Sequence, residues 1–148
     1  MPNGDILCGY FDDGRTYVYN VASNTWRETT GAKLHSMGNQ FGHFPSNPPV
    51  IPTDTDRSDE ENWCMLPDGS ILSYDIWSSF AQTTFLAQRF VPGQDSWVDA
   101  SNVDPTNPPD ILSDPSVGFE QGPMVLLPDG RVWLVGANGH TAYYNTKT

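Results

Sequence analysis

Three times this chain runs an apolar stretch into a Pro-(Asp/Asn)-Gly turn and leaves it on a second apolar stretch. The clearest copy is Leu127-Pro128-Asp129-Gly130-Arg131-Val132-Trp133-Leu134-Val135-Gly136; Leu66-Pro67-Asp68-Gly69-Ser70-Ile71-Leu72 and Met1-Pro2-Asn3-Gly4-Asp5-Ile6-Leu7 repeat it. Proline holds φ at about −65°, the value the first central turn position needs, and glycine takes the φ > 0 position that follows. With β-rich runs on both sides, each copy reads as a hairpin. The turn glycines stand at 4, 69 and 130, so the device recurs after 65 and then 61 residues.

Around these turns the chain reads as ten short strands. Asp5 to Phe11, Thr16 to Asn20 and Thr25 to Glu28 form the first group, with turns at Asp12-Asp13-Gly14 and Ala22-Ser23-Asn24. Asn62 to Leu66, Ser70 to Ile76, Phe85 to Val91 and Ser96 to Asp99 form a complete four-strand set a-b-c-d. Pro123 to Leu127, Arg131 to Gly136 and Thr141 to Asn145 form the last group, with a turn at Asn138-Gly139. No stretch with helical periodicity survives the 13 glycines and 13 prolines. A repeat this long, built only of short strands, points to propeller blades rather than helical solenoids.

The expected fold is therefore all-β: a partial β-propeller of about two and a half four-stranded antiparallel blades, in one domain over residues 1–148. The blade segments are about 1–30, 62–101 and 119–148. Residues 31–61 form a long loop or insertion and 102–118 a proline-rich connection. Propellers close with about 4–8 blades. A chain of this size is expected either as a segment of a longer propeller or as a piece completed by assembly with other chains. Strand Asp5 to Phe11 has no inner partner in this reading, an edge that templates association.

Charge narrows the partners. Eighteen acidic residues stand against seven basic ones, a net −11. That balance excludes a phosphate-binding stripe for nucleic acid and disfavours an anionic membrane surface. It permits a cation, a basic partner or a sugar, and it also serves plain solubility. No apolar run is long enough for a membrane-spanning helix, and no secretory leader is visible at the start. Cys8 and Cys64 both fall inside strands, where free buried thiols are common, and their spacing suggests no disulfide.

Blade geometry says which loops share a face. In an a-b-c-d meander the b–c loops and the d-to-a connections lie at one end, the a–b and c–d turns at the other. The first end gathers the candidate binding residues Asp56, Arg57, Asp59, Glu60, Glu61, Trp77, Glu120, Gln121, Asn138 and His140. Long loops on a rigid scaffold commonly carry function. Arg57 among Asp56, Asp59, Glu60 and Glu61 has two readings: a polar lining that grips a cation or a sugar hydroxyl, or an ion-pair cluster tying one blade to the next. The Asp54-x-Asp56-x-x-Asp59 spacing lacks the glycine and distal glutamate of a calcium loop. His140 follows an Asn-Gly turn and reads as a strand-end hydrogen-bonding group rather than a metal ligand. Tyr17, Tyr19, Tyr143, Tyr144, Trp26 and Trp97 occupy matching blade positions and read as packing residues. Trp77 and Phe80, in a b–c loop, are the candidates for exposed stacking.

Three stretches carry a resemblance. They are Asp56-Arg57-Ser58-Asp59-Glu60-Glu61 leading through Trp63 to Leu66-Pro67-Asp68-Gly69-Ser70-Ile71-Leu72-Ser73-Tyr74-Asp75; Ala87-Gln88-Arg89-Phe90-Val91 with Trp97; and Gly122-Pro123 through Leu127-Pro128-Asp129-Gly130 to Gly136-Ala137-Asn138-Gly139-His140-Thr141-Ala142-Tyr143-Tyr144. On these the chain resembles the kelch and galactose-oxidase-like β-propeller superfamily, in particular bacterial-type kelch-motif proteins. The resemblance covers most of the chain outside 36–55. It implies a propeller fold and leaves function open, because propellers host many functions. The copper-radical oxidases of the superfamily need a Cys–Tyr crosslinked pair and a Tyr-His dipeptide, and no Tyr-His dipeptide occurs here. No nucleophile elbow, P-loop or His-Glu-x-x-His is present either. The expectation is a non-catalytic kelch-like module for binding or structural assembly, with no catalytic residue, cofactor or metal. Its expected partners are another protein or the remaining blades, or a carbohydrate. The alternative is a fragment of a carbohydrate-active or copper-radical enzyme.

Overall fold

The computed structural model describes residues 1–9, 14–31, 33, 62–74, 87–100, 121–136 and 138–146. Within them lie ten strands and no helix: β1 (Ile6–Gly9), β2 (Thr16–Asn20), β3 (Thr25–Glu28), β4 (Trp63–Met65), β5 (Ile71–Tyr74), β6 (Ala87–Val91), β7 (Ser96–Asp99), β8 (Gln121–Leu126), β9 (Arg131–Gly136) and β10 (Thr141–Asn145). They form three antiparallel meanders: β1-β2-β3, β4-β5-β6-β7 and β8-β9-β10. The expected three-four-three grouping is the observed one. Five strands keep their expected ends, and the ends of the other five differ by at most two residues. The insertion 36–55, the connection 102–118 and the loop holding Ser78 to Gln82 lie outside the described residues.

The repeated turn has one chemistry in all three copies. The amides of Gly4, Gly69 and Gly130 donate to the carbonyls of Met1, Leu66 and Leu127, each at 2.9 Å. The glycine φ angles are 86°, 83° and 90°, the left-handed region where a Cβ is disfavoured. The middle residue closes the turn from the side. Asn3, Asp68 and Asp129 accept the amides of Asp5, Ser70 and Arg131 at 3.1, 3.0 and 3.0 Å. This is why the second central residue is Asp or Asn in every copy: its short acceptor reaches the backbone two residues on.

Side-chain alternation then decides which face each residue buries. In the middle sheet Ile71 pairs with Phe90, and Phe90 with Trp97. These three pack with Val18 of β2 into one core that also takes Met1, Leu7 and Trp63. The alternate positions Cys64, Leu72, Tyr74 and Ala87 face the other way and pack with Val132 and Leu134 of β9. The middle sheet is thus covered on both sides, by the first sheet and by the third. Residues β5 Ile71–Tyr74 are buried throughout, as a strand with two covered faces must be. At the third sheet's edge, the β8–β9 register shifts between Gln121 and Met124. Pro123 lies there, unable to donate a ladder bond, and β8 is an edge strand where proline is tolerated.

Candidate functional site

Of the ten candidate binding residues, Gln121, Asn138 and His140 are described. Asp56, Arg57, Asp59, Glu60, Glu61, Trp77 and Glu120 lie outside the described residues. The three described ones share one end of the third sheet. Gln121 pairs with Gly136 across β8 and β9, and the Gly136 amide donates to the His140 carbonyl at 2.8 Å. Asn138 Oδ1 accepts the His140 amide at 3.0 Å, and Gly139 takes φ 82° to complete the turn. His140 is exposed.

Gln121 is buried and joins the second and third sheets. Its Oε1 accepts the Asn62 amide at 3.0 Å, and Asn62 Nδ2 returns two bonds of 2.9 Å, to the carbonyls of Gln121 and Gly122. These bonds hold the start of β4 beside the start of β8, and the two strands lie against each other. Gln121 Nε2 is buried with no partner among the described residues. Gly122 leaves no room for a side chain, since a Cβ there would stand 3.0 Å from Val135 Cβ and 3.1 Å from the Val135 carbonyl oxygen.

The seam between the first and second sheets is polar at its outer side. Trp97 Nε1 donates to Thr16 Oγ1 at 2.9 Å, and Thr16 Oγ1 lies 2.7 Å from Thr29 Oγ1. Thr29 Oγ1 in turn reaches the Gly31 carbonyl at 2.9 Å. The Thr29 hydroxyl also lies 3.1 Å from the Thr16 carbonyl; when it donates to either carbonyl, Thr16 is the donor within the Thr16–Thr29 pair, because an indole N–H only donates and a carbonyl only accepts. Asp95, in the turn between β6 and β7, accepts from Arg27 Nη1 at 2.8 Å and from the Thr30 amide and hydroxyl at 3.1 and 2.9 Å. Burial alone would raise the Asp95 pKa, but the bonds from Arg27 and Thr30 hold it below the ordinary carboxylate range. Lys33 is buried with its Nζ 5.9 and 5.7 Å from the ring centroids of Trp63 and Trp97, within cation–π range.

Asp95 corrects the two-ended division of loops. It sits in a c–d turn yet binds Thr30, which follows β3 in a d-to-a connection. Strands in a sheet rotate by about 20–25° from one to the next. Over a four-strand sheet the outermost strand turns far from the innermost, so ends defined on inner strands do not hold at the outer edge.

The aromatic positions divide. Trp97 is 4% exposed and Trp26, expected to pack equivalently, is 60% exposed with its ring 4.9 Å from Tyr19. Tyr144 packs against the second core, where burial raises its pKa, while Tyr143 faces out under the Arg131 guanidinium at 4.5 Å. Both cysteines are free thiols whose pKa burial pushes up. Among the described residues no group of three or more His, Cys, Asp or Glu side chains is placed to hold a metal ion. Sequence reasoning missed Asn62, Thr16, Thr29 and Asp95 as joining residues; only the equivalent turn positions of Asn24 and Asp95 carried a signal. No family model matches the chain, and no curated protein matches it.

Proposed function

We propose that this chain is a non-catalytic kelch-type β-propeller module, each sheet a blade, that serves binding or structural assembly within a larger propeller or complex. The observation that supports this best is the two-sided packing of the middle sheet, with one apolar core against the first sheet and another against the third. In a repeat array each unit meets only its neighbours and buries a continuous core by stacking. The β4–β8 contact at Asn62 and Gln121 fits blades whose inner strands approach a common axis. The end carrying Asn138 and His140 is the binding face in this reading, with a protein surface or a carbohydrate as its ligand. Two measurements test it. Crystallography of the native gene product should place the sheets radially about one axis; a closed β-sandwich overturns the blade assignment. The purified protein titrated with copper(II) should release no peroxide from primary alcohols; one tightly held copper per chain with turnover overturns the non-catalytic assignment.

A further inference from the structure

We propose that Asn138-Gly139, in the turn between β9 and β10, is a site of spontaneous covalent modification: the Asn138 side chain loses ammonia through a cyclic imide and leaves an aspartyl or isoaspartyl residue. Four described turns place glycine directly after Asn or Asp: Asn3-Gly4, Asp68-Gly69, Asp129-Gly130 and Asn138-Gly139. In all four the glycine takes a left-handed φ, between 82° and 90°. In all four the Asn or Asp Oδ1 accepts the amide two residues on, at 3.0–3.1 Å. That bond folds the side chain back over its own turn and brings Cγ towards the glycine nitrogen. Reacting atoms held together in this way need little further ordering to meet.

The step balances without a redox partner. The Gly139 nitrogen gives its proton to solvent and attacks Asn138 Cγ. The new C–N bond closes the imide ring, the Cγ–Nδ2 bond breaks, and ammonia leaves with a proton from solvent. Water then opens the ring. Addition at Cγ gives aspartate; addition at the main-chain carbonyl leaves the backbone running through Cγ, as isoaspartate.

Surroundings select one turn of the four. Asp68 and Asp129 are paired with Arg89 at 3.0 Å and with Arg131 at 2.7 Å. An ionised carboxylate repels a nucleophile and has no amine to lose. Asn3 is tied down: its Nδ2 donates to Asp5 Oδ2 at 2.8 Å, and the buried Asp5 carboxylate also takes bonds of 3.1 and 3.2 Å from Asn20. The leaving amine is held there, and a carboxylate one residue beyond Gly4 opposes negative charge on the glycine nitrogen. At Asn138 the residue beyond the glycine is His140, which carries no negative charge. The Gly139 amide reaches the Gly136 carbonyl at 3.2 Å, against 2.9 Å for the amides of Gly4, Gly69 and Gly130, so its hydrogen bond is the weakest of the four. Gly139 and His140 are exposed, and a Cβ on Gly139 would meet nothing within 4 Å.

Isoaspartate lengthens the β9–β10 connection by one backbone atom and strains the bond from the Gly136 amide to the His140 carbonyl. Either product puts a carboxylate beside His140, at the end assigned above as the binding face. That consequence rests on the proposed function; the chemistry does not.

Peptide mapping by mass spectrometry tests this on the full chain, incubated in oxygen-18 water at neutral and mildly alkaline pH, folded and in guanidinium chloride. The expected result is conversion of Asn138 to both aspartate and isoaspartate with uptake of one heavy oxygen. Its rate should rise about tenfold per pH unit, as the amide deprotonates. The ratio of the Asn138 rate to the Asn3 rate should be about tenfold higher in the folded chain than in guanidinium, the effect of one charged hydrogen bond holding Asn3. Asn138→Gln should stop the reaction at this turn, because the longer side chain closes its ring poorly, and Gly139→Ala should slow it. An Asn138 that stays intact in the folded chain, or converts no faster than Asn3, overturns the proposal. So does a rate ratio equal in the folded and unfolded chains. Aspartate as the sole product refutes the imide, since direct hydrolysis gives no isoaspartate. If Gly139→Ala melts without cooperativity, the ratio in the parent chain still decides. A closed sandwich in the crystallography above would remove the binding face and leave this chemistry standing.

Discussion

Replacing Trp97 by Phe isolates the polar seam between the first and second sheets. The substitution keeps a ring against Val18, Ile71 and Phe90 but deletes the donor that begins the hydroxyl chain through Thr16 and Thr29. The lost hydrogen bond costs about 1 kcal/mol. The smaller ring leaves a void in a side chain site only 4% exposed, for a further cost of about 1–2 kcal/mol. Together they lower the melting midpoint by about 5–10 °C for a chain of this size. Thr16→Val keeps the shape and strands the indole N–H, costing about 1–3 kcal/mol. The double variant removes both partners at once, so its loss should fall short of the sum of the singles by about 1 kcal/mol. Urea melts followed by tryptophan fluorescence and far-ultraviolet dichroism measure all four proteins. Strict additivity, or a Trp97→Phe variant as stable as the parent, refutes a stabilising bond from Trp97 to Thr16.

Other outcomes follow from the same contacts. The Asp95 carboxyl has its pKa lowered by Arg27 and Thr30, so its contribution is present above the unfolded carboxylate value of about 4 and is lost as the pH falls through the folded value. Asp95→Asn should therefore flatten the acid limb of a stability–pH curve; an unchanged limb denies the linkage. Gly4→Ala meets open space and bears only the cost of a left-handed φ, about 1–2 kcal/mol, whereas a Cβ on Gly69 would stand 2.5 Å from Pro2 Cγ. Gly69→Ala should be the more destabilising in thermal melts, and equal losses would remove the Pro2 contact. Asn62→Ala keeps its backbone amide on Gln121 Oε1 but takes the Nδ2 donor away from the carbonyls of Gln121 and Gly122. It should lower stability by about 1–3 kcal/mol and speed amide exchange at the β4 and β8 starts; exchange that stays slow there would show the staple is dispensable.

The strands were legible where local chemistry is strong. Thr16–Asn20, Thr25–Glu28, Ser96–Asp99, Arg131–Gly136 and Thr141–Asn145 are read from the sequence with their observed ends, because alternation and a left-handed turn residue fix both register and limits. Asn62 with Gln121 and Trp97 with Thr16 were not legible. They are 59 and 81 residues apart, and no periodicity reports which distant polar groups meet. Trp26 and Trp97 look alike in sequence, each standing two positions after a left-handed turn residue, Asn24 and Asp95. Only the stacking order of sheets separates the exposed one from the buried one. For the candidate site, Gln121 could be placed at a strand end from its position before Gly122-Pro123. Its turn inward to Asn62 depends on a neighbouring sheet that the local sequence does not specify.

The meander order of every sheet bears on how the chain comes off the ribosome. Within a sheet, β2 and β3 or β9 and β10 are joined by four-residue connections, Val21 to Asn24 and Ala137 to His140. The seam contacts instead close loops of up to 81 residues. Chain-closure entropy makes those later contacts costlier by about 2–3 kcal/mol, so hairpins form before sheets dock. After Glu28 has been added, 69 more residues must be made before Trp97 exists. At about 5–20 residues per second the Val18 face of the finished first sheet waits about 3–14 s for its cover. For that interval a nascent chain carries an apolar strand surface with no native partner yet synthesised. Codon choice between positions 29 and 97 therefore sets how long that surface is open to chaperones or to another nascent chain.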